Sequence, residues 1–184
     1  SAWHRQGYRH LGMAVNVSPV QLRADDFVTK VRQIIEFCDV PPALISFDLT
    51  ESIGLEEPAL LASRLVALRE LGIRLTLDDF GTGHSSLRQL MGLCTDMVKI
   101  DPGYIEDIEA SPEARALAAS IVDLAKKRSS CVIAEGVETA EQAQALLDMG
   151  CVLMQGFHFG RPMAADQFEL WLRANKAGLP ASRL

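Results

Sequence analysis

Short runs of apolar and β-branched residues alternate along the chain with longer stretches in which apolar residues recur at helical spacing. The short runs predict six strands. They lie at Met13–Val17, Ile45–Leu49, Arg74–Leu77, Met97–Ile100, Val132–Ala134 and Leu153–Phe157. Helical stretches follow these strands in turn, and such alternation is typical of a parallel sheet covered by helices.

Residues that start or stop helices set the limits of the segments between the strands. Asp25 or Asp26 is expected to cap a helix that reaches Cys38, and Thr139 to start a helix that Gly150 ends. Proline near the first turn marks three further helices, predicted at Ala59–Leu71, from Pro112 to about Arg128 and at Ala165–Ala174. Strands and helices together give a β/α unit repeated six times.

Two architectures accept this repeat, an open doubly wound sheet and a (β/α) barrel. Polar or charged groups stand at the end of every predicted strand, namely Asn16, Asp48 with Glu51, Asp78 with Asp79, Lys99 with Asp101, Glu135 with Glu138, and Gln155. In a barrel all strand ends meet at one mouth, whereas an open sheet gathers ligand groups near its switch point. No G-x-G-x-x-G follows the first strand. We therefore predict an α/β barrel of the (β/α)8 TIM type, with about six of its units in this chain.

Composition narrows the classes of partner. The chain has 184 residues, and 18 Lys and Arg against 24 Asp and Glu give a net charge of −6. This acidic balance argues against a nucleic-acid polymer or a membrane surface as the partner. With neither a signal-peptide core nor an initiator Met, the chain is expected to be a soluble part of a longer protein.

The cysteines show neither metal-ligand spacing nor a disulfide pattern. They are Cys38, Cys94, Cys131 and Cys151. Three of them, all except Cys94, stand beside apolar residues, so we expect them to be buried, reduced thiols. This expectation agrees with a cytoplasmic location.

The predicted mouth is rich in hard oxygen donors. The candidate ligands are Asn16, Asp48, Asp78, Asp79 and Glu135. Such donors prefer magnesium, manganese or calcium to zinc, and one or two divalent ions would relieve the repulsion between the carboxylates. Lys99 adds a charge suited to a phosphate oxygen or a nucleophilic water. The set fits metal-assisted hydrolysis of a phosphate ester.

Each residue also has a simpler interpretation. Asp78 and Asp79 precede a Gly-containing segment and suit an ordinary turn. Asn16 suits a hydrogen bond to the backbone at a strand end. Glu135 and Glu138 suit the capping acids of the following helix. Individually these signals are weak, and it is their occurrence at six successive strand ends that favours a site.

Six ordered motifs carry a family resemblance. They are Val15-Asn16-Val17-Ser18 with Gln21-Leu22, Leu49-Thr50-Glu51-Ser52, Asp78-Asp79-Phe80-Gly81-Thr82-Gly83 with Ser85-Ser86-Leu87, Lys99-Ile100-Asp101, Ala134-Glu135-Gly136-Val137-Glu138-Thr139, and Gln155-Gly156. Together, from about Ala14 to Pro162, they resemble the EAL domain of bacterial cyclic di-GMP phosphodiesterases. The resemblance implies a modified (β/α)8 barrel, here as a single EAL-like domain over residues 1–184 with its β/α units at about 13–174.

The resemblance also implies roles for the metal-binding and catalytic residues. Asn16 and Asp78 match metal ligands of the family, and Asp48 stands where the family has a ligating Glu. Asp79 and Glu135 match residues that serve the second metal or its water. Lys99 matches the residue that positions the attacking water near the scissile phosphate.

Further residues match positions around the substrate. Glu51 is similar to the family's glutamate that steadies the loop from Asp78 to Gly83, and Glu138 and Gln155 match positions that contact the substrate or support the ligands. The implied reaction converts cyclic di-GMP to linear pGpG with Mg²⁺ or Mn²⁺, and calcium is expected to inhibit. Expected partners are a second copy of the domain and flanking sensory or GGDEF-type domains, in a parent protein that is cytoplasmic or membrane-anchored.

Three departures from the family pattern keep alternatives open. The Glu-Ala-Leu segment is absent and is expected upstream of Ser1, together with two strands of the barrel. Without these strands the sheet has an open edge, and we expect either a dimer or a segment outside this sequence to cover it. Asp48 is one methylene shorter than Glu, about 1.5 Å of reach, and His84 replaces a more usual aromatic or neutral residue.

One alternative function is that of a receptor that binds cyclic di-GMP without cleaving it. The last is an aldolase that uses Lys99 as a Schiff base, disfavoured because surrounding acids would keep this lysine protonated.

Overall fold

The computed structural model describes residues 2–50, 58–80, 95–127 and 130–175. Within them, six parallel strands form one sheet in which each strand pairs with its successor in the chain. The strands are β1 (Met13–Val17), β2 (Ile45–Thr50), β3 (Arg74–Phe80), β4 (Met97–Ile100), β5 (Cys131–Ala134) and β6 (Leu153–Met154). This consecutive parallel order forms a half-barrel, and it confirms the predicted α/β fold.

Helices connect the strands. In chain order they are α1 (Ala2–Arg5), α2 (Pro19–Arg23), α3 (Phe27–Cys38), α4 (Pro58–Glu70), α5 (Gly103–Glu106), α6 (Pro112–Lys127), α7 (Ala140–Asp148) and α8 (Ala165–Ala174). Thr139 caps α7 as predicted, because its side chain accepts a hydrogen bond from the N–H of Gln142. Asp26 occupies the N-cap of α3 without a side-chain cap bond, and its carboxylate instead pairs with Lys30 at 2.7 Å.

Alternation along each strand separates two environments. Leu49 and Leu75 are fully buried on the face of the sheet that packs against the helices. Their neighbours Asp48 and Thr76 project from the opposite face, towards the interior of the half-barrel. The helix-facing residues therefore form the apolar core, and the interior face is free to carry polar chemistry.

Strand β6 is shorter than the predicted Leu153–Phe157. After Met154 the chain turns, so that the N–H of Gln155 donates to the carbonyl of Ala134 and the N–H of His158 donates to the carbonyl of Val137. The apolar residues beyond Met154 misled the prediction because they belong to a turn packed on the loop after β5.

Two of the cysteine predictions were wrong. Cys151 is buried, but Cys38 and Cys131 are exposed. An apolar neighbour in sequence points to a different face of a helix or strand, so it does not report the burial of the cysteine beside it. Cys94 lies outside the described residues.

The two ends of the described chain meet at an aromatic contact. The Trp3 ring of α1 lies edge-on to the Phe168 ring of α8, with centroids 5.1 Å apart. Strand β1 forms one edge of the sheet, and Met13 and Val15 on it are exposed. Across the described residues, every helix is too short or too polar to cross a bilayer.

Candidate active site

The ends of β2, β3 and β4 and the residue after β5 bring a lysine and three carboxylates together. Nζ of Lys99 lies 2.8 Å from Oε1 of Glu135, 2.9 Å from Oδ2 of Asp48 and 3.5 Å from Oδ1 of Asp78. Lys99 is on β4, and it reaches past β3 to Asp48 on β2. Four of the predicted site residues therefore form one ionic cluster inside the half-barrel.

Lys99 is held as the ammonium cation. Burial alone would lower its pKa, but hydrogen bonds to Glu135 and Asp48 and the charges of these carboxylates raise the pKa well above its ordinary value. A lysine that forms a Schiff base must be neutral, so this environment disfavours the aldolase alternative.

The pKa of Glu135 is also shifted, because its carboxylate is half-buried beside two other carboxylates. Burial raises its pKa, the hydrogen bond from Lys99 lowers it, and the charges of Asp78 and Asp48 raise it again, with a net upward shift. Glu135 is therefore a better proton acceptor than an exposed glutamate.

The turn after Glu135 depends on glycine. Gly136 has φ +71°, and a Cβ at this position would lie 2.6 Å from Cβ of Pro102. Pro102 directly precedes α5, so this close approach fits the Glu135 loop against the start of the next β/α connection.

A second group of carboxylates suits a divalent metal. One oxygen from each of Asp78, Asp79 and Glu135 lies within 4.8 Å of the other two. Asp79 has φ +56°, and its N–H donates to Oδ1 of Asp78 at 3.1 Å. All the donors are hard oxygens, which bind Mg²⁺, Mn²⁺ or Ca²⁺ and offer nothing that selects zinc. The donor set thus fits the metals expected from the sequence.

The sequence profile of the EAL domain family matches residues 1–162. The chain belongs to the EAL domain family. It is 38% identical over 170 residues to the signaling protein YkoW of Bacillus subtilis, and 37% identical over 171 residues to the cyclic di-GMP phosphodiesterase PdeR of Escherichia coli. The alignments cover 92% and 93% of this chain but 21% and 26% of those proteins. The chain thus spans about a quarter or less of these relatives.

Solved structures of EAL domains match this half-barrel. The EAL domain of Mycobacterium smegmatis DcpA matches with a TM-score of 0.90 and 32% identity, over 94% of this chain and 78% of that one. Klebsiella pneumoniae BlrP1, solved with manganese and cyclic di-GMP, matches with a TM-score of 0.77 and 32% identity, over 82% of this chain and 39% of that one. These matches confirm that the half-barrel is part of a TIM-like (β/α)8 fold.

Other predicted site residues of this EAL domain border the strand ends. Asn16 is exposed on β1, in register with Asp48 on β2. Gln155 is exposed after β6, and Glu138 is exposed in the loop after β5. Glu51, His84 and the loop residues 81–83 lie outside the described residues.

The sequence analysis missed Gln142, which organises the Glu135–Glu138 loop. Its Oε1 accepts from the N–H groups of Glu138 at 2.7 Å and Thr139 at 3.1 Å. Its Nε2 donates to the carbonyls of Ile105 at 3.3 Å and Glu106 at 3.4 Å. The Thr-x-x-Gln spacing of a capping box signals the bond from the N–H of Thr139, whereas the bonds to Ile105 and Glu106 depend on tertiary structure.

Ser46 and Thr76 were also missed. Their hydroxyl oxygens lie 2.6 Å apart, and Ser46 Oγ donates to Oδ1 of Asp48 at 3.4 Å. Each stands two residues before a site carboxylate, so the period of a strand places it on the same face. This spacing is the signal that identifies them.

Proposed function

We propose that this EAL domain is a metal-dependent phosphodiesterase that hydrolyses cyclic di-GMP to linear pGpG. The observation that carries the proposal is the ammonium of Lys99 in contact with Glu135 beside the Asp78–Asp79–Glu135 carboxylates. A fixed cation beside an oxygen-ligand cluster is suited to hydrolysis of a phosphodiester, because both stabilise negative charge on the phosphate. PdeR, the relative from Escherichia coli, is named as a cyclic di-GMP phosphodiesterase.

The metal would be held by Asp78, Asp79 and Glu135, with Asn16 as the neutral donor from β1. Mg²⁺ or Mn²⁺ supplies charge neutralisation at the phosphate and a more acidic water. The carboxylates would orient a water in that arrangement, and Glu135, which contacts the ammonium of Lys99, would accept its proton.

Lys99 would stabilise the negative charge that develops on the phosphate, and its ammonium would help to orient the attacking water. Its ion pairs fix the ammonium before the substrate arrives, so little reorganisation is needed during the reaction. Gln155 and Glu138 are exposed at the mouth, where they are available to bind the rest of the nucleotide.

The test is chromatography of cyclic di-GMP incubated with the full chain and Mn²⁺ or Mg²⁺. We expect pGpG to accumulate, and Lys99→Met to abolish its formation. Lys127→Met is the matched control, because Lys127 is exposed at the end of α6. Binding of cyclic di-GMP without any product would overturn the proposal in favour of a receptor.

We also propose that the domain works as a homodimer in the cytoplasm, next to sensory or GGDEF-type domains of a longer protein. Strand β1 forms an exposed edge with Met13 and Val15, which either a second copy of the domain or a segment outside this sequence would cover. Light scattering on the chain tests the dimer, and a monomer at micromolar concentration would contradict it.

A further inference from the structure

We propose that Asp48 is a positioning residue that holds Lys99 in place, and that it is not a direct ligand of the metal. The inference rests on the proposed function, and it assigns Asp48 a role different from the one its strand-end position suggested. Three observations carry it: the partners of the two carboxylate oxygens, the burial of the side chain and its depth in the half-barrel.

Both oxygens of Asp48 are already engaged. Oδ2 contacts Nζ of Lys99 at 2.9 Å, and Oδ1 accepts from Oγ of Ser46 at 3.4 Å. Ser46 in turn shares a 2.6 Å hydrogen bond with Thr76 on the adjacent strand. Asp48 therefore belongs to a polar network across β2, β3 and β4, in which its charged partner is the lysine.

Asp48 is also the most deeply buried of the three carboxylates around Lys99. Its side chain is 4% exposed, against 15% for Asp78 and 14% for Glu135. An ion pair this shielded from water needs good geometry on both partners. The ammonium of Lys99 satisfies that need and leaves the more accessible carboxylates to face the mouth.

The strand register explains the difference in depth. Asp48 pairs with Thr76, whereas Asp78 pairs with Thr50, two residues farther along β2. The backbone of Asp48 thus lies about 6.6 Å below that of Asp78 along the strands. Asp78, Asp79 and Glu135 present mutually close oxygens at the mouth. Lys99 bridges this group and the deeper carboxylate.

A carboxylate beneath the lysine has a clear use. The lysine stem is flexible and its ammonium has no preferred direction of its own. The ion pairs with Asp48 and Glu135 hold Nζ from two sides, and Asp78 lies 3.5 Å from it on a third, so the position of the ammonium is defined. Loss of Asp48 should lower kcat about 100-fold with little change in KM, because a misplacement near 1 Å has an effect of that size.

The first test uses the metal-free chain and a double-mutant cycle of Asp48→Asn and Lys99→Met. We expect Asp48→Asn to lower Tm by about 6 °C when Lys99 is present and by less than about 2 °C in the Lys99→Met background. Asp123→Asn, an exposed carboxylate on α6, is the control and should leave Tm unchanged. Equal losses in both backgrounds would overturn the ion-pair role.

The second test counts the water molecules on bound Mn²⁺ by electron paramagnetic resonance in ¹⁷O-labelled water. Asp48→Asn should leave the count unchanged, whereas one additional water would identify Asp48 as a ligand. If this variant does not fold, anomalous diffraction from the Mn²⁺-loaded wild-type chain decides the question. Both Asp48 oxygens should lie farther than about 3 Å from every ion, and a distance near 2.2 Å would overturn the proposal.

The two proposals fail separately. Absence of pGpG from the wild-type chain would remove the proposed phosphodiesterase activity, but the Tm cycle and the water count would still report on Asp48. Conversely, an Asp48 that ligates Mn²⁺ would leave the phosphodiesterase assignment intact.

Discussion

The N–H of Val137 donates a hydrogen bond to the carbonyl oxygen of Gln155 across 3.1 Å. This bond joins the loop after β5, which carries Glu135, to the turn after β6. The two backbones are so close that a Cβ on Gly156 would lie 2.0 Å from the carbonyl oxygen of Val137. The candidate site thus depends on a backbone contact that only glycine permits.

Gly156→Ala should therefore destabilise the chain by about 3 kcal/mol, because backbone atoms cannot move aside as side chains do. Thermal unfolding should show a Tm lower by about 6 °C or more. Gly160→Ala is the matched control, since the nearest atom to its added Cβ is 3.9 Å away. Similar Tm values for the two variants would contradict this account of the turn.

Gln142→Ala should cost about 2 kcal/mol in the free energy of unfolding. The substitution leaves the N–H groups of Glu138 and Thr139 and the carbonyls of Ile105 and Glu106 without their partner. Urea titration measures the change. Gln144→Ala on the same helix provides the comparison, because Gln144 is exposed and bonds only to the exposed Asp148 in the described structure; an equal loss there would discount the loop network.

Phe168→Ala should loosen the contact between α1 and α8. Phe168 lies edge-on to Trp3 and stacks on Trp171 at 5.8 Å, and these are the two tryptophans of the chain. We expect a loss of about 2 kcal/mol and a red shift of tryptophan fluorescence in the folded protein. Leu170→Ala, at an exposed position of α8, should change neither quantity. An unshifted spectrum would argue against the ring contacts.

Glu135→Gln should lower the rate of pGpG formation at least about 100-fold, because an amide neither accepts the proton nor carries the negative charge that binds a divalent ion. The fold should persist, since Lys99 retains Asp48 and Asp78 as partners. Rates at saturating Mn²⁺ measure the loss of turnover, and circular dichroism measures whether the fold persists. Glu141→Gln, exposed in the first turn of α7, should turn over normally; unchanged turnover by the Glu135 variant would refute its role.

Local pattern predicted most of the architecture. All the strands except β5 begin where the alternation of apolar runs and helical stretches predicted, and Thr139 starts α7 as its capping sequence indicated. These features depend on residues a few positions apart, so the sequence carries them directly. The parallel order of the strands follows from the helices between them.

Local pattern failed where a distant segment sets the outcome. The turn that shortens β6 exists because its backbone bonds to Ala134 and Val137. The exposure of Cys38 and Cys131 depends on the direction in which each side chain points and not on its apolar neighbours. The N–H of Asp79 bonds to the Asp78 carboxylate in a left-handed conformation that no composition rule indicates.

By itself the sequence determined the fold class, the strand-end residues and the hard-oxygen chemistry of the site, because each follows from residue type and short-range period. Only the tertiary structure decided which of those residues meet. Lys99 and Asp48 are two strands apart, and it is the curvature of the half-barrel and the register of β2 on β3 that bring them to 2.9 Å. Register and curvature arise from packing over the whole sheet, so which carboxylate lies deepest beside Lys99 is decided only once the chain is folded.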